Sequence, residues 1–402
     1  MTAEADQDPR AADFIQDPYP FYARHRGAGP LFHWRQYGHL CAPGFAEVNA
    51  LLRDRRFGRV VSDASTRAAL GWPEPNPAIA DFNAVEQHSL LSLEPPDHTR
   101  LRTLVTRAFV ARQVERLRPR ITALADRLID EFTGASVDLI AAYATPIPVF
   151  VIAELLGVDT AMAPQLLDWS HKMVAMYQFG RTTQVEAEAN GAARDFAAFI
   201  RGEIALRRTR PNDDLLSRLV AASADGGKLS EADIVGTAIL LLNAGHEATV
   251  HAIGNGVKAF LESGLDPAGM FASPASTAAV IEEVLRFDPP LHMFTRHALE
   301  DLEIGGVPMK LGDQIGLLLG AANRDPLRYL EPDRFDPARD ASGHTSFGAG
   351  IHFCLGAPLA RLELEVALPL LFARLPKLVI TEPPRYSDSY HFHGLERLMV
   401  SA

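Results

Sequence analysis

The sequence contains only two cysteines, Cys41 and Cys354, in 402 residues. Neither belongs to a CxxC pair or to a His/Cys group at zinc-finger spacing, which excludes a disulfide framework and a classical structural zinc site. So few thiols in a chain of this size indicate a reducing compartment, and we expect a cytoplasmic protein. Cys41 lies in an apolar, strand-like stretch and is expected in the core, so the surroundings of Cys354 become decisive.

Long apolar runs and an excess of positive charge are also missing. The first thirty residues contain no apolar segment of the signal-peptide type, and the apolar run 234–242 is broken by Asn243 and Gly245 before it could span a bilayer. The net charge of −11 would repel phosphate backbones. We therefore predict a protein that binds neither membranes nor nucleic acid.

The pattern of apolar residues predicts a mostly helical chain. Three- and four-residue apolar spacing marks five long stretches as helices, at 97–109, 113–132, 145–156, 184–207 and 230–262. Strand-like segments are fewer and fall at 31–41, 296–302, 314–319, 378–381 and 397–401. No repeat or flexible linker divides the chain. We predict one mainly α domain with small β-sheets over residues 1–402, with about the first ten residues flexible.

The stretch 230–262 predicts an unusually long helix. Ser230 and Asp233 stand at capping-box spacing at its start. At 1.5 Å per residue the helix would be roughly 50 Å long, so it must cross the core of a domain. Its central polar residues are therefore conspicuous, and they are Asn243, His246, Glu247 and Thr249.

Cys354 lies in a glycine-rich segment that precedes a predicted helix. The surrounding glycines are Gly348, Gly350 and Gly356. Pro358 stands near the first turn of the apolar helical stretch 359–375, so Cys354 should lie just before a helix N-terminus. Free N–H groups and the positive end of the helix dipole stabilise a thiolate there. The residues favour a functional thiolate, and the alternative is a buried structural cysteine in a glycine-rich loop.

This segment resembles the haem-binding loop of the cytochrome P-450 family, whose FxxGxxxCxG pattern is filled by Phe347, Gly350, Cys354 and Gly356. The resemblance implies haem b, iron protoporphyrin IX, with Cys354 as the iron ligand and with Phe347, Gly348 and Gly356 beside the cofactor. It also implies the cytochrome P-450 fold. That fold is a helix-rich triangular prism with haem between a long distal helix and the helix that follows the cysteine loop.

Further motifs stand in the order that the family has. Glu283 and Arg286 resemble its ExxR helix, and Arg334 with Phe335 resembles its meander segment. Alone, a Glu/Arg pair at this spacing is usually a solvated helix face. By resemblance, four cations would bind the haem propionates, namely His98, Arg102, Arg296 and His344. His98 and Arg102 are four residues apart and should share one helix face.

The stretch 244–249 resembles the family's oxygen-binding segment. By that resemblance, Gly245 leaves room for dioxygen, and Glu247 relays protons from solvent; the alternative for Glu247 is a structural acid paired to an arginine. The next position usually holds threonine, but here it is Ala248. Thr249 is rotated by about 100° around the helix and should point elsewhere. Our hypothesis is that an ordered water or a substrate hydroxyl supplies the missing hydrogen bond.

The resemblance also implies a substrate pocket of mixed character. Its expected lining includes the loop around 82–91, the turn 390–392, and Leu240, Asn243, Ala244, His292, Phe294 and Phe392. Apolar side chains would hold the body of a small organic molecule, and Asn243, His292 or His391 could bind one polar group. Each of these histidines could equally be a solvated loop residue.

The family implies a monooxygenase that hydroxylates a C–H bond with dioxygen. No nucleotide-binding glycine motif follows a predicted strand, so we expect electrons from a ferredoxin and an NAD(P)H-dependent reductase. A basic segment could dock an acidic ferredoxin, with Glu115 as its only acid and arginines at 100, 102, 107, 112, 116, 118 and 120. Solvated helix faces are the alternative for these arginines. Two other functions remain open, a peroxide-driven peroxygenase and a haem-binding protein without turnover.

Overall fold

A computed structural model describes residues 2–61, 64–109, 114–133, 136–224 and 229–401. Helices of ten or more residues there are α1 (Tyr19–Ala28), α2 (Asp97–Ala108), α3 (Arg118–Asp130), α4 (Pro146–Leu156), α5 (Ala163–Val174), α6 (Thr183–Thr209), α7 (Leu215–Ala224), α8 (Glu231–Ser263), α9 (Pro274–Phe287) and α10 (Ala357–Arg374). All five predicted helical stretches coincide with members of this set. The start of the second, at Gln113, lies outside the described residues.

The strands are short. They are β1 (Ala3–Ala5), β2 (Phe32–Trp34), β3 (His39–Ala42), β4 (Phe57–Gly58), β5 (Val137–Asp138), β6 (Met293–Ala298), β7 (Leu302–Ile304), β8 (Val307–Met309), β9 (Gln314–Leu318), β10 (Val379–Ile380), β11 (Arg385–Tyr386), β12 (Leu395–Arg397) and β13 (Met399–Ser401). Six of them form one sheet in the order β1-β2-β3-β9-β6-β4, and the others form sheets of two or three strands.

Two features of the main sheet differ from what the sequence predicts. Strand β6 begins at Met293, three residues before the expected start at 296, and pairs antiparallel with β9 so that Arg296 stands opposite Ile315. Strand β1 pairs in parallel with β2, with Ala3 opposite Phe32. Sheet hydrogen bonds therefore hold residues 3–5, which lie in the stretch expected to be flexible.

Contacts divide the chain into two compact units. Unit 1 comprises residues 1–58, 118–147 and 248–402, and unit 2 comprises residues 59–117 and 148–247. Unit 1 contains the sheets and the cysteine segment, whereas unit 2 contains helices α2 and α5 to α7. The prediction of one domain over residues 1–402 stays a prediction.

Helix α8 forms as the sequence predicts. Its capping box is present, because the Ser230 backbone N–H donates to Asp233 Oδ2 at 3.1 Å and the Asp233 N–H donates to Ser230 Oγ at 3.0 Å. Its central polar side chains Asn243, His246 and Thr249 are all buried. Within the part of the chain that the structure describes, no helix is both long enough and apolar enough to cross a bilayer.

The first strands and helices of unit 1 enclose an aromatic core. Rings of Phe14, Phe21, Trp34 and Tyr390 pack at centroid distances between 4.9 and 5.7 Å. Cys41 is fully buried in the same cluster, and burial raises the pKa of its thiol well above the usual range. The prediction that Cys41 is a core residue is therefore confirmed.

Candidate active site

Cys354 sits in a tight loop directly before helix α10. Its backbone N–H donates to the Phe347 carbonyl at 2.9 Å, which closes the loop. Helix α10 begins three residues later, with Gly356 as its N-cap and Pro358 in its first turn. The thiol is half-buried and forms no disulfide. The loop therefore holds a thiol outside any disulfide near the positive end of a helix, as the sequence predicts.

Two glycines shape this loop. Gly348 and Gly350 have φ angles of +67° and +69°, which residues other than glycine rarely adopt. A Cβ atom at Gly350 would lie 2.5 Å from the Leu52 carbonyl oxygen, and one at Gly348 would lie 3.3 Å from the Phe294 ring. A half-buried thiol outside any disulfide, on a backbone this closely shaped, fits the thiolate ligation of haem iron.

Glu283 and Arg286 form a fully buried ion pair on α9. The guanidinium donates to both carboxylate oxygens at 2.7 and 2.8 Å, and neither side chain is exposed. Arg286 also donates to the carbonyls of Asn323 and Pro332 at 2.8 and 2.9 Å. The pair therefore fastens α9 to the segments before the cysteine loop, and the interpretation as a solvated helix face is wrong.

His344, predicted as a propionate ligand, has protein partners at both ring nitrogens. Its Nε2 lies 3.4 Å from Glu282 Oε2, and its Nδ1 accepts from the Ser346 N–H at 3.2 Å. Burial would raise the pKa of Glu282, but hydrogen bonds from Arg361 and His344 outweigh it and lower the pKa to about 2. Glu282 therefore engages His344 within the protein, and the role of His344 toward a propionate stays a prediction.

His352 is a candidate propionate ligand that the sequence motifs did not single out. It ends the short turn Gly350–His352, two residues before Cys354. The signal was present in the sequence, because His352 lies inside the same glycine-rich motif as the cysteine. Along the chain, His352 is closer to Cys354 than His344 is.

The other three predicted propionate ligands lie in two units. Arg296, on β6 of unit 1, is buried, donates to the Thr295 carbonyl at 2.9 Å and lies 5.7 Å from the Phe294 ring centroid. His98 and Arg102 lie on α2 of unit 2, one turn apart as expected, and His98 is buried. Their role toward the cofactor stays a prediction.

Glu247, the predicted proton relay, contacts two imidazoles. Its Oε2 lies 2.9 Å from Nε2 of His246 and 3.3 Å from Nε2 of His171 on helix α5. The hydrogen bond with Glu247 raises the pKa of His171, although partial burial opposes the rise. The His171 side chain is half-exposed, so this carboxylate is in contact with a solvent-facing imidazole.

Packing also explains why position 245 is glycine, in addition to the predicted role of leaving room for dioxygen. A Cβ atom at this position would lie 2.8 Å from Cδ1 of Ile152 on α4. A larger residue would therefore push α8 and α4 apart or force the Ile152 side chain to move. Whether Gly245 also leaves room for dioxygen stays a prediction.

Thr249 lies beside Glu363, a residue that the sequence analysis missed. Both side chains are buried in unit 1. Burial raises the pKa of Glu363 to about 8, and the Thr249 hydroxyl offsets only part of this rise. Glu363 is therefore mainly protonated at neutral pH. Its sequence signal was a glutamate in the apolar helix that follows Cys354, two residues before Glu365.

The expected pocket residues fall in both units. In unit 2, Leu240 is half-buried and Ala244 is exposed, whereas Asn243 is buried with its amide N–H group 3.7 Å from Met173 Sδ. In unit 1, Phe294 and Phe392 are half-buried. Their role as pocket lining stays a prediction.

His292 is enclosed by protein rather than solvated. It has no exposed surface, its Nδ1 is 2.9 Å from the Tyr22 hydroxyl, and its ring lies 4.3 Å from that of His393. Burial, together with the charge of His393, lowers the pKa of His292 well below its usual range. This placement favours a neutral core histidine over a substrate contact.

The basic segment is partly neutralised by acids. Arg100 contacts Asp233, Arg116 contacts Asp213 and Arg118 contacts Glu365, at 3.0 to 3.2 Å. Arg107 is exposed on α2. The segment falls in both units, with the boundary before Arg118, and Arg112 lies outside the described residues.

Comparison with known proteins gives a consistent match. A family model described as Cytochrome P450 matches residues 275–383. The chain is 39% identical over 399 residues to Cytochrome P450 107B1 of Saccharopolyspora erythraea, which covers 96% of this chain and 95% of the relative. It is 38% identical over 385 residues to 6-deoxyerythronolide B hydroxylase of the same organism, with 92% of each chain covered.

Solved structures extend this similarity to the fold. P450BioI, solved with an acyl carrier protein ligated to hexadec-9Z-enoic acid, superposes with a TM-score of 0.89 at 34% identity, covering 98% of this chain and 100% of that one. The bacillaene polyketide synthase cytochrome P450 PksS of Bacillus subtilis 168 gives a TM-score of 0.87 at 33% identity, covering 98% and 99%. The similarity thus spans both units and is not confined to the cysteine loop.

Proposed function

Because this chain belongs to the cytochrome P450 family, we propose that it inserts one oxygen atom of O2 into a C–H bond of a small, largely apolar organic substrate. The family is one of monooxygenases that bind haem b, and the chain has its mainly α fold with small β-sheets. The observation that carries the proposal is Cys354, a half-buried thiol that forms no disulfide and is held directly before the N-terminus of α10. Relatives named as hydroxylases support the type of reaction.

Cys354 would hold the haem iron, and the helix N-terminus would stabilise the thiolate form. Haem b, when bound, supplies the redox chemistry that activates dioxygen, and a thiolate ligand favours O–O cleavage. We assign the propionates to His98, Arg102 and Arg296, and we prefer His352 to His344 because Glu282 engages His344.

Protons would come from Glu247. Glu247 can exchange protons with solvent through His171, which is half-exposed and 3.3 Å away. Because Ala248 offers no hydroxyl, an ordered water or a substrate hydroxyl would complete the hydrogen bonding at that position.

Asn243 supports a substrate with one hydrogen-bond donor. Its Oδ1 is buried and has no hydrogen-bond partner among the described residues, while its amide nitrogen faces only the weak acceptor Met173 Sδ. A buried acceptor left unpaired is costly, so a ligand that donates to it gains affinity. Leu240 and Phe294 would contact the apolar body of the substrate.

Electrons would come from a ferredoxin and its NAD(P)H-dependent reductase, with the exposed Arg107 as one docking residue. An acidic partner would be attracted to it by long-range electrostatics. We place the reaction in the cytoplasm, where reducing conditions keep the Cys354 thiol from forming disulfides.

The test is turnover with a reconstituted ferredoxin system. Candidate substrates are first selected by the low-spin to high-spin shift of the ferric protein. Oxygen uptake, NADH consumption and product are then measured with and without substrate. A monooxygenase consumes NADH and oxygen in a substrate-dependent way. A haem-binding protein without turnover does not, and a peroxygenase forms product from hydrogen peroxide without the ferredoxin.

A further inference from the structure

We infer that His171, His246 and Glu247 form a binding site for one divalent transition-metal ion of the zinc class, and that an ion bound there withdraws Glu247 from proton exchange. All three residues belong to unit 2, on helices α5 and α8. The ion site itself stands on geometry alone. Its effect on turnover rests on the proposed function, in which Glu247 delivers protons.

The three ligand atoms already have the spacing that such an ion requires. Two imidazole nitrogens and one carboxylate oxygen lie within 4.8 Å of one another, a ligand set that zinc uses together with one water. In a tetrahedral site with bonds of about 2.0 to 2.1 Å, ligand atoms are about 3.3 Å apart. The distances from Glu247 Oε2 are 3.3 Å to His171 Nε2 and 2.9 Å to His246 Nε2.

The buried Nε2 atom of His246 gives evidence for a bound cation that is independent of the ligand spacing. Its Nδ1 lies 2.9 Å from the Leu242 carbonyl, which can only accept, so Nδ1 carries the hydrogen. Nε2 then presents a lone pair. It is buried, forms no hydrogen bond and lies 2.9 Å from a carboxylate oxygen, an arrangement that is repulsive unless a proton or a cation joins the two atoms.

The same hydrogen bond prepares His246 as a metal ligand. Histidines that bind metals through one nitrogen usually donate the other N–H to a backbone carbonyl or a carboxylate, which fixes the tautomer and the ring orientation. Leu242 provides that partner. The Nε2 atom is therefore held in the correct tautomer, aimed at the other two ligands.

Exposure provides a route for the ion. His171 has about half of its side chain exposed and Glu247 about one-fifth, so an ion can reach the ligand atoms from solvent. A second group of potential ligands, Asp288, His292 and His393, differs in its exposure and in the hydrogen bonds that its carboxylate already accepts. It is buried throughout, and the Asp288 carboxylate already accepts hydrogen bonds from two tyrosine hydroxyls.

Isothermal titration of ZnCl2 into the haem-loaded protein, free of any affinity tag, tests the site directly. We expect one ion per chain. Loss of a single orienting partner typically weakens metal binding 10- to 100-fold, so His171→Ala and His246→Gln should each weaken it by at least about tenfold. His88→Ala is the matched control. It removes a histidine 3.0 Å from a carboxylate, Asp233, that lies outside the three-residue cluster.

Absence of one-to-one binding, or equal affinity in wild type and His171→Ala, would overturn the site. A second measurement follows substrate-dependent oxygen uptake at zinc concentrations that fill it. We expect zinc to slow uptake by wild type and to leave His171→Ala at its own zinc-free rate. Zinc that binds but does not slow uptake would overturn the effect on Glu247. A protein without any uptake would contradict the proposed function, while the titration would still decide the site.

Discussion

The Glu283 carboxylate and the Arg286 guanidinium form two hydrogen bonds, of 2.7 and 2.8 Å, with no solvent access to either side chain. The carboxylate also accepts from the Asp336 backbone N–H at 2.7 Å. Three segments are thus joined at one pair: helix α9, the residues after β9 and the residues around 332–336. Each charge depends on the other, because among the described residues Arg286 has no other carboxylate partner and Glu283 has only Arg339 besides, with Nε at 3.5 Å from Oε1.

Arg286→Met should therefore be strongly destabilising. Removing one partner of a buried ion pair typically costs about 3 to 5 kcal/mol. Without Arg286, Glu283 would keep, among the described residues, only the more distant Arg339 guanidinium, whose Nε lies 3.5 Å from Glu283 Oε1. Urea unfolding of the haem-loaded protein measures this loss. Arg385→Met is the matched control, since Arg385 and Asp388 have the same three-residue spacing but are exposed, and it should cost less than about 1 kcal/mol. Equal effects of the two substitutions on the free energy of unfolding would refute the stabilising role of the buried Glu283–Arg286 pair.

Cys354→Ala should abolish thiolate ligation. The reduced carbon monoxide complex of the wild type should show the Soret shift typical of a thiolate ligand, and the variant should lack it. Cys41→Ala is the control, because the protein's other cysteine is fully buried in the core of unit 1. Its complex should keep the wild-type band. Loss of the shift in Cys41→Ala alone would contradict the assignment of Cys354.

Glu363→Gln should change how stability depends on pH. The pKa of Glu363 is about 8 in the folded protein against 4.5 for an ordinary glutamate, so the folded state keeps a proton that the unfolded chain releases. The stability from this proton is complete below pH 4.5 and is lost as the pH rises to about 8, by at most about 5 kcal/mol.

Glutamine cannot ionise, so Glu363→Gln should remove this part of the loss of folding stability between pH 4.5 and about 8. Denaturant unfolding at pH 5, 7 and 8.5 measures it for wild type, Glu363→Gln and Glu365→Gln. Glu365 lies on the same helix and pairs with Arg118, so its substitution should leave the loss in place. A wild type whose stability does not fall over this interval would show that the Glu363 carboxyl ionises normally.

Ala248→Thr tests how the missing hydroxyl is replaced. If an ordered water or a substrate hydroxyl already fills this role, the added hydroxyl should not greatly increase the product formed per NADH consumed. Coupling is measured in the ferredoxin system, and substrate affinity is measured from the spin-state shift. A large gain in coupling with unchanged affinity would count against the hypothesis.

Arg107→Glu should slow association with an acidic ferredoxin, because it reverses a charge on the proposed docking segment. The association rate of the wild type should also fall with rising salt, and the variant should show a weaker salt dependence. Stopped-flow reduction kinetics over a range of ionic strength measure both. Arg24→Glu, on helix α1, makes the same charge change outside this segment and should have little effect. A wild-type rate independent of salt would contradict docking by charge.

Much of the fold and the cysteine loop was predictable from local sequence. The five helical stretches, the capping box of α8 and the position of Cys354 before a helix depend on apolar spacing, glycine, proline and capping residues within one element. These local rules act between residues a few positions apart, so their outcome can be predicted from the sequence alone. They also explain why Cys41, in an apolar stretch, was correctly expected in the core.

Tertiary structure decided which polar groups meet, because partners distant in sequence determine burial and charge. Spacing alone makes a pair such as Glu283 and Arg286 typical of a solvated helix face, whereas the resemblance to the ExxR helix implied an ion pair that anchors the core. The segments packed around α9 make the pair fully buried. Glu363 is an ordinary helical acid in the sequence, and its raised pKa comes from complete burial beside Thr249. His171 stands 76 residues before Glu247, and no local pattern predicts that the two side chains would lie 3.3 Å apart.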